Sequence, residues 1–338
     1  MAGARAGLGD ATGRPLPVAV DAMGGDRAPG EIVAGARRAA EELGIDVVLV
    51  GRPDQLGDTG GLDVIAASEV IEMSEDPGQG VRRKKDSSLV RAAEAVREGR
   101  ALAMVSAGNT GATMASALLR MGRLKGIVRP AIATPIPQLG THPTVLLDAG
   151  ANSECTPAML VQFAQMGSAY STARYGVAEP TVALLSIGEE KSKGTALVKE
   201  THALLAGTPG LRFVGNAEGR DLMGDAPDVV VTDGFTGNVA LKTLEGSLRF
   251  FMDTLLEVLS KNEDTKKASE VLLPYLAPLA AEFDPDNTGG AVLLGVDGIC
   301  VISHGSSSAQ AIVSAVKVAH DVARAGLVDR LAHAVAQA

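Results

Sequence analysis

The sequence has few aromatic residues and no excess of positive charge. Aromatics make up 3% of its 338 residues and tryptophan is absent, so a core drawn from its 46% hydrophobic residues must consist of Ala, Val, Leu and Ile. Lys and Arg number 31 against 40 Asp and Glu, a net charge of −9. Because nucleic-acid-binding surfaces are basic, this balance argues against general nucleic-acid binding. The length fits one large or two fused α/β units.

Motifs for metals, cofactors and covalent catalysis are also missing. Cys155 and Cys300 lie far apart and offer neither metal spacing nor a disulfide framework, so we expect free thiols in a reducing cytosol. The histidines show no H-E-x-x-H spacing. No dinucleotide fingerprint, Walker A sequence or G-x-S-x-G elbow occurs. Asp21 and Asp26 could hold a metal, but turn bonding is the favoured interpretation. We therefore expect no metal and no cofactor.

Long apolar runs are scarce as well. Residues 1–16 lack an apolar segment, so we expect a disordered tail and no signal peptide. Residues 101–119 carry no charge, but their centre reads SAGNTGAT, which is too polar and glycine-rich for a bilayer helix. This stretch predicts a strand, a loop and a helix.

A strand, a glycine turn and a helix start recur along the chain. In residues 228–246, Val229–Val231 predict a strand, Gly234 and Gly237 a turn, and the residues after them a helix. A helix N-terminus has unpaired N–H groups and a positive dipole end, which together favour an anion. Asn238 could cap this helix or bind a ligand, and Lys242 could add a positive charge.

The repetition of this unit predicts an α/β sandwich with a mostly parallel sheet. Ligands bind such sheets at the carboxyl ends of the strands, so we expect the glycine turns to gather at one rim. No linker divides the chain, and we expect one domain over residues 17–330. Residues 255–282 have no strand character and predict a helical arm that packs in an oligomer or touches a membrane.

Residues 72–85 predict a polar surface loop that contains an RRKK run. A solvated surface is the favoured interpretation, and contact with phosphopantetheine or with an acidic carrier protein is the alternative. The four cations concerned are Arg82, Arg83, Lys84 and Lys85.

Two side chains stand out as candidates for binding an anion. Lys193 precedes Gly194 and a predicted helix, so its side chain and the backbone could converge on one anion; a plain surface lysine fits the sequence as well. His304 follows an apolar strand within a glycine turn. No nucleophile is evident, which favours direct attack by a bound substrate.

Ordered motifs from Val18 to Val322 resemble the acyl-ACP:phosphate acyltransferase family. They are DAMGGD at 21–26, SAGNTGA at 106–112, LLDAGAN at 146–152, LSIGEE…KGT at 185–195, GNAEGRD at 215–221, VTDGFTGNVALKTLEG at 231–246 and GG…LLGVDG…HGSS at 289–307. Thr195 departs from the family, which usually has Asn there.

The resemblance implies that long-chain acyl-ACP and inorganic phosphate give acyl phosphate and free ACP, for bacterial phospholipid synthesis. It implies a three-layer α/β/α sandwich like that of phosphate acetyltransferases and of isocitrate and isopropylmalate dehydrogenases. It also implies a homodimer in the cytoplasm, associated peripherally with the membrane or with a membrane-bound glycerol-3-phosphate acyltransferase. The arm at 255–282 would be the part that faces the membrane or the carrier.

The site hypothesis combines both lines of reasoning. The catalytic candidates are Lys193, His304 and Asn238. The phosphate- or substrate-binding candidates are Asp21, Gly24, Gly25, Asn109, Thr110, Gly111, Asn152, Gly194, Asp233, Gly237 and Lys242. In this hypothesis Gly237 and Asn238, with Asn109 and Thr110, hold phosphate, while Lys193 and His304 position phosphate or neutralise the oxyanion on the thioester carbonyl.

Three alternatives remain open. One is a short-chain phosphate acyltransferase that uses acyl-CoA. Another is a non-catalytic scaffold that recruits lipid-synthesis enzymes to the membrane. A dehydrogenase rests on fold analogy alone.

Overall fold

A single mixed sheet runs through the molecule. The computed structural model describes residue 9 and residues 13–224 and 227–336, so most of the tail predicted at 1–16 lies outside the described residues. The sheet has 11 strands in the order β3-β2-β1-β4-β11-β10-β5-β6-β9-β7-β8. The strands are β1 Val18–Asp21, β2 Val47–Gly51, β3 Asp63–Ala66, β4 Ala103–Ser106, β5 Ala131–Ile136, β6 Thr144–Leu147, β7 Thr181–Leu185, β8 Arg212–Ala217, β9 Val229–Val231, β10 Ala291–Leu294 and β11 Cys300–Ile302.

Helices cover both faces of the sheet. They are α1 Gly30–Leu43, α2 Pro77–Arg83, α3 Ser88–Arg97, α4 Thr110–Arg120, α5 Pro157–Tyr175, α6 Ala196–Ala206, α7 Gly234–Leu259, α8 Glu263–Glu282, α9 Pro285–Thr288, α10 Ala309–Arg324 and α11 Leu327–Ala336, with a 3-10 turn at Gly219–Met223. Alternate strand residues face opposite sides: Val18 and Val20 pack in one cluster with Phe163 of α5, while Ala19 packs with Leu89 of α3 on the other face. The predicted three-layer α/β/α sandwich is confirmed.

The strands form two parallel blocks that run in opposite directions. Strands β1, β2, β3, β4 and β11 are parallel to one another, and so are β6, β7, β8 and β9. Between the blocks, β10 is antiparallel to both β11 and β5, and β5 is antiparallel to β6. The carboxyl ends of the two blocks therefore lie at opposite edges of the sheet. The expectation that all the glycine turns gather at one rim is wrong.

We name these edges after one residue at each. The His304 edge is where β1, β4 and β11 end, and it carries the loops at residues 21–26, 106–111 and 303–307. The Asp148 edge is where β6, β7 and β9 end, and it carries the loops at residues 148–152, 186–195 and 232–238.

The predicted polar loop at 72–85 contains a helix, α2, because Asp76 caps it by accepting a hydrogen bond from the N–H of Gln79 and Pro77 occupies its first turn. The predicted arm at 255–282 is helical: it comprises the end of α7, from residue 255 to Leu259, and all of α8, with Pro274 and Pro278 inside α8.

Large apolar side chains lie exposed along this arm. They are Leu256, Val258, Val271, Leu272, Leu273, Tyr275 and Leu279, and Phe250 and Phe251 of α7 lie exposed just before the arm. Among the described residues, no helix combines the length and the apolar character needed to cross a bilayer.

Candidate functional site

A buried carboxylate joins two loops at the His304 edge. The Ser106 hydroxyl donates to Asp21 Oδ2 at 2.7 Å and accepts a hydrogen bond from the N–H of Gly108 at 3.0 Å. Asp21 also accepts from the N–H of Met23 at 3.3 Å. Asp21 is 1% exposed, and its burial raises the pKa of the carboxyl above the ordinary value, against the hydrogen bonds that lower it. Asp21 therefore fixes how the first glycine loop meets the loop after β4.

The glycines of the first loop allow this close meeting. A Cβ added to Gly24 would stand 2.5 Å from Asp21 Oδ2 and 2.7 Å from the Gly108 nitrogen. Gly25 has φ +119° and lies against Ala107 and the Gly305 carbonyl. The N–H of Asp26 donates to that same carbonyl at 2.8 Å. The loops that follow β1, β4 and β11 thus touch one another.

Helix α4 begins at this point with free donors. The Asn109 side chain caps it by accepting from the N–H of Ala112 at 3.0 Å, and its amide donates to the Met73 carbonyl at 2.7 Å. The N–H groups of Thr110 and Gly111, in the first turn, find no acceptor among the described residues. The helix dipole places positive potential on them. An anion could bind here without displacing an existing hydrogen bond.

His304 lies next to this helix start. Because Ile302 pairs with Ser106, the chain leaves β11 beside the loop that leads into α4. The exposed His304 ring accepts the N–H of Ser306 at Nδ1, at 3.3 Å, and the Ser306 hydroxyl lies 2.8 Å from the same atom. The neutral ring therefore carries its proton on Nε2, where it can donate to a ligand. Seven of the candidate residues meet here, namely Asp21, Gly24, Gly25, Asn109, Thr110, Gly111 and His304.

The loop around Asp148, at the opposite edge, holds a different arrangement, in which the donors are already used. The Asp148 carboxylate accepts from the N–H groups of Ile132, Gly150, Ala151 and Asn152 at 2.8–3.1 Å, and from the Asn152 amide at 2.8 Å. Asp148 is fully buried, and burial raises the pKa of its carboxyl. The Asn152 amide also donates to the Pro130 carbonyl at 2.8 Å.

The start of α7 likewise uses three of its first N–H groups within the protein. The N–H of Gly234 donates to the Asn152 carbonyl at 2.7 Å. The N–H groups of Thr236 and Gly237 donate to the carboxylate and the carbonyl of Asp233, both at 2.9 Å. The Gly237 N–H is therefore used within the helix, and the phosphate contact of Gly237 stays a prediction. Asp233, and not Asn238, caps α7.

Gly237 has a packing role instead. A Cβ at this position would stand 1.9 Å from the Asp148 carbonyl oxygen, so only glycine fits. Asn238 donates from its amide to the Ala149 carbonyl at 3.2 Å, which fastens α7 to the Asp148 loop. Lys242 forms an exposed ion pair with Glu245 at 2.8 Å. These contacts give each of the three residues a structural role.

The Lys193 loop is a third group, at the end of β7 on the Asp148 edge. Lys193 is exposed and has no ion-pair partner among the described residues, and Thr195 caps α6 by accepting from the N–H of Val198 at 3.3 Å. Gly194, with φ +93°, lies close to the Ser186 hydroxyl. That hydroxyl and Asn216 Oδ1 are buried without a partner in the described structure. The structure thus separates Lys193 and Gly194 from His304.

Two residues outside the original hypothesis organise these loops. Ser106 links Asp21 to Gly108, and Asp148 gathers the donors of its own loop. Ser106 ends β4 and Asp148 follows β6, and a polar residue at the end of an apolar strand, two residues before a glycine, is the signal that could have singled them out.

Comparison with solved structures shows the fold. EutD phosphotransacetylase from Staphylococcus aureus superposes with a TM-score of 0.59 at 15% identity, covering 92% of this chain and 94% of that one. A branched-chain phosphotransacylase from Enterococcus faecalis gives 0.58 at 16% identity, covering 91% and 99%. At these identities the likeness shows the fold, which is that of the phosphotransacetylases.

Sequence comparison shows the family. The family model described as "Fatty acid synthesis protein" matches residues 16–330. A phosphate acyltransferase of Heliobacterium modesticaldum is 49% identical over 313 residues, covering 90% of this chain and 93% of the relative. One of Elusimicrobium minutum is 46% identical over 331 residues, covering 95% and 96%. The chain belongs to the phosphate acyltransferase family, and it is an enzyme of acyl transfer that involves phosphate.

Proposed function

We propose that the enzyme transfers a long-chain acyl group from acyl carrier protein to inorganic phosphate, for bacterial phospholipid synthesis. A phosphate oxygen attacks the thioester carbonyl and forms the new C–O bond. The C–S bond then breaks, and the carrier leaves as a thiolate that takes up a proton. The products are acyl phosphate and free carrier.

The free donors at the start of α4, next to His304, are the observation that carries this proposal. The N–H groups of Thr110 and Gly111 would bind phosphate oxygens, and His304 Nε2 would donate to phosphate or to the oxyanion that forms on the carbonyl. Asn109 holds the helix start and Asp21 holds the loops, so both act as positioning residues. The site thus brings its donors together before the substrate binds.

The chemistry requires little from the protein beyond this. Phosphate is a good nucleophile near neutral pH, and a thiol with a pKa of about 8.5 leaves readily as a thiolate. No enzyme nucleophile is needed. Cys155 is poorly suited to that role, because burial raises the pKa of its thiol to about 11.

Lys193 remains a predicted catalytic residue, and its place in the fold constrains how it could act. It lies at the Asp148 edge, whereas His304 lies at the opposite edge of the same sheet. Lys193 of one chain would therefore reach a His304 site only in a second copy. The proposed homodimer would supply such a copy, and the exposed Ile187 and Phe235 on the Asp148 edge are apolar surface that a second chain could cover.

The exposed arm supports a further part of the proposal. We assign the apolar side chains of α8 to contact with a membrane surface or with a membrane-bound glycerol-3-phosphate acyltransferase, for a cytoplasmic, peripherally associated enzyme. Residues 17–330 would form the single catalytic domain that carries this arm.

A side-by-side assay tests the proposed reaction. Palmitoyl-ACP, palmitoyl-CoA and acetyl-CoA are each incubated with enzyme and phosphate, and acyl phosphate is trapped with hydroxylamine while free carrier is measured by gel shift. We expect phosphate-dependent release of carrier, with palmitoyl-ACP the preferred substrate. Preference for acetyl-CoA would instead establish the short-chain alternative, and no release from any substrate would refute the proposal.

A further inference from the structure

Helix α2 ends in a patch of unpaired positive charge. Arg82 and Arg83 form its last turn and Lys85 follows, and all three side chains are exposed. None of the three has an ion-pair partner in the described part of the chain. The fourth cation of this run, Lys84, differs because it pairs with Glu75 and donates to the Val70 carbonyl at 2.6 Å. We call Arg82, Arg83 and Lys85 the α2 patch.

Nearby acidic side chains do not neutralise the patch. Glu75 is occupied by Lys84, and Asp76 is held at the opposite end of α2, where it caps the helix. Asp86 accepts hydrogen bonds from Ser68 and forms an ion pair with Arg91 at 2.6 Å. Because the whole chain carries a charge of −9, an open cluster of three cations is a local reversal of sign.

The α2 patch is physically connected to the His304 edge. A Cβ on Gly111, in the first turn of α4, would stand 2.6 Å from the Pro77 side chain at the start of α2. The loop before α2 also touches this edge, since Met73 accepts a hydrogen bond from Asn109 and its methyl would lie 2.8 Å from a Cβ on Gly305. The seven residues of α2 span about 10 Å. The cations of the α2 patch therefore lie about 10 Å, the length of α2, from the first turn of α4.

We propose that the α2 patch is where an acidic acyl carrier protein docks. This inference rests on the proposed function, because it takes the acyl donor to be protein-bound. An acidic carrier would complement the patch in charge, and its thioester on a flexible arm would then reach past Pro77 to the start of α4. Complementary charge of this kind mainly speeds the encounter of the two proteins and orients them. The patch should thus affect how tightly the carrier binds, and the chemical step should be unaffected.

The test is the double variant R82E/R83E, with K125E/R129E as the matched control. Lys125 and Arg129 are also exposed and without an ion pair among the described residues, but they lie just before β5, at the Asp148 edge. Both variants change the charge equally. KM and kcat are measured with palmitoyl-ACP at saturating phosphate, and the dissociation constant of holo-carrier is measured by calorimetry.

For R82E/R83E we expect KM and the dissociation constant to rise at least about tenfold with kcat within about twofold of wild type. K125E/R129E should leave all three unchanged. Raising the ionic strength from about 0.01 M to about 0.15 M shortens the Debye length from about 30 Å to about 8 Å, and should weaken carrier binding to wild type much more than to R82E/R83E.

The outcomes separate the two proposals. If wild-type enzyme releases carrier with phosphate but R82E/R83E binds carrier as tightly as wild type, the docking site is wrong and the proposed reaction stands. An equal loss in both variants would also refute the docking site, since general charge would then be the cause. If wild type releases no carrier, the proposed function fails first.

Discussion

The starts of α4 and α7 carry similar motifs at opposite edges of the sheet but differ in what their backbone donors do. At the His304 edge, the N–H groups of Thr110 and Gly111 in α4 meet no acceptor in the part of the chain that the structure describes, and the His304 ring is exposed. At the Asp148 edge, the donors around Asp148 and Asp233 bond to carboxylates and carbonyls of the protein itself. A strand, a glycine turn and a helix start therefore do not define an anion site. What matters is whether a carboxylate of the chain already occupies the position that an anion would take.

The presence of an aspartate just before the helix separates the two cases. Asp233 caps α7 with a negative charge, whereas Asn109 caps α4 with a neutral amide. A capping carboxylate satisfies the helix dipole and repels an anion, while a capping amide leaves the dipole available. The predictions below test this contrast between α4 and α7, in decreasing order of the effect we expect.

Replacing His304 by Ala should lower kcat/KM with palmitoyl-ACP by about 10²–10³-fold, because a donor to developing negative charge is lost. The control is Ser306→Ala, which removes only the hydroxyl next to Nδ1 and should cost a few-fold at most. Steady-state kinetics measure kcat/KM, and circular dichroism verifies that each variant is folded. Near-normal turnover in H304A would place the reaction away from this edge.

Lys193→Ala should lower turnover by about 100-fold if Lys193 neutralises charge in the site. Because Lys193 and His304 lie at opposite edges, a heterodimer of K193A and H304A chains should contain one intact site of two and recover about half of wild-type activity. The heterodimer is isolated by tandem purification of differently tagged chains. A heterodimer as inactive as its parents would contradict a site shared between copies, and full activity in K193A would remove Lys193 from catalysis.

Gly237→Ala should destabilise the protein by about 3 kcal/mol or more, since its methyl would overlap the Asp148 carbonyl. Gly246, in the same helix, meets nothing within 4 Å of an added Cβ. Gly246→Ala should therefore stabilise by about 0.5–1 kcal/mol. Urea unfolding monitored by circular dichroism gives both values, and equal stabilities would show that the Asp148 loop is looser than its contacts indicate.

The weakest predicted effect concerns the reactivity of Cys155. Its thiol donates a hydrogen bond to the Asn152 carbonyl at 3.6 Å, within the loop that follows Asp148. With its pKa raised to about 11, only about 0.1% of this thiol is ionised at pH 8. Alkylation by iodoacetamide should thus be slow at pH 8 and accelerate as the pH rises toward 11, as mass spectrometry can follow. Labelling at pH 8 as fast as that of a free cysteine would indicate that this edge is open.

Much of the local structure could be predicted from residue patterns. The uncharged stretch at 101–119 forms the expected strand, loop and helix as β4 and α4, and the arm at 255–282 is helical. Seven candidate residues do meet at the His304 edge. Helix α2 was missed because its capping signal, Asp76 followed by Pro77, stands among charged residues without apolar periodicity.

Strand direction was the main error, although one signal for it was present. Strands β5 and β6 are separated only by residues 137–143, and a parallel crossover needs a dozen or more residues. The pair therefore had to be antiparallel, which reverses every strand that follows in that block. This reversal moved Lys193, Asn152, Asp233, Gly237 and Asn238 away from His304.

The sequence alone specifies the alternation of buried strands with capped helices, because apolar periodicity and helix capping involve only residues close together in the chain. It also determined the family, through ordered motifs. Which donors of α7 are occupied depends on the fold, because the groups that bind them include carbonyls brought in from distant segments, as the Asn152 carbonyl is to Gly234. Local patterns specify what an element can bind, and the packing of the chain specifies what it has already bound.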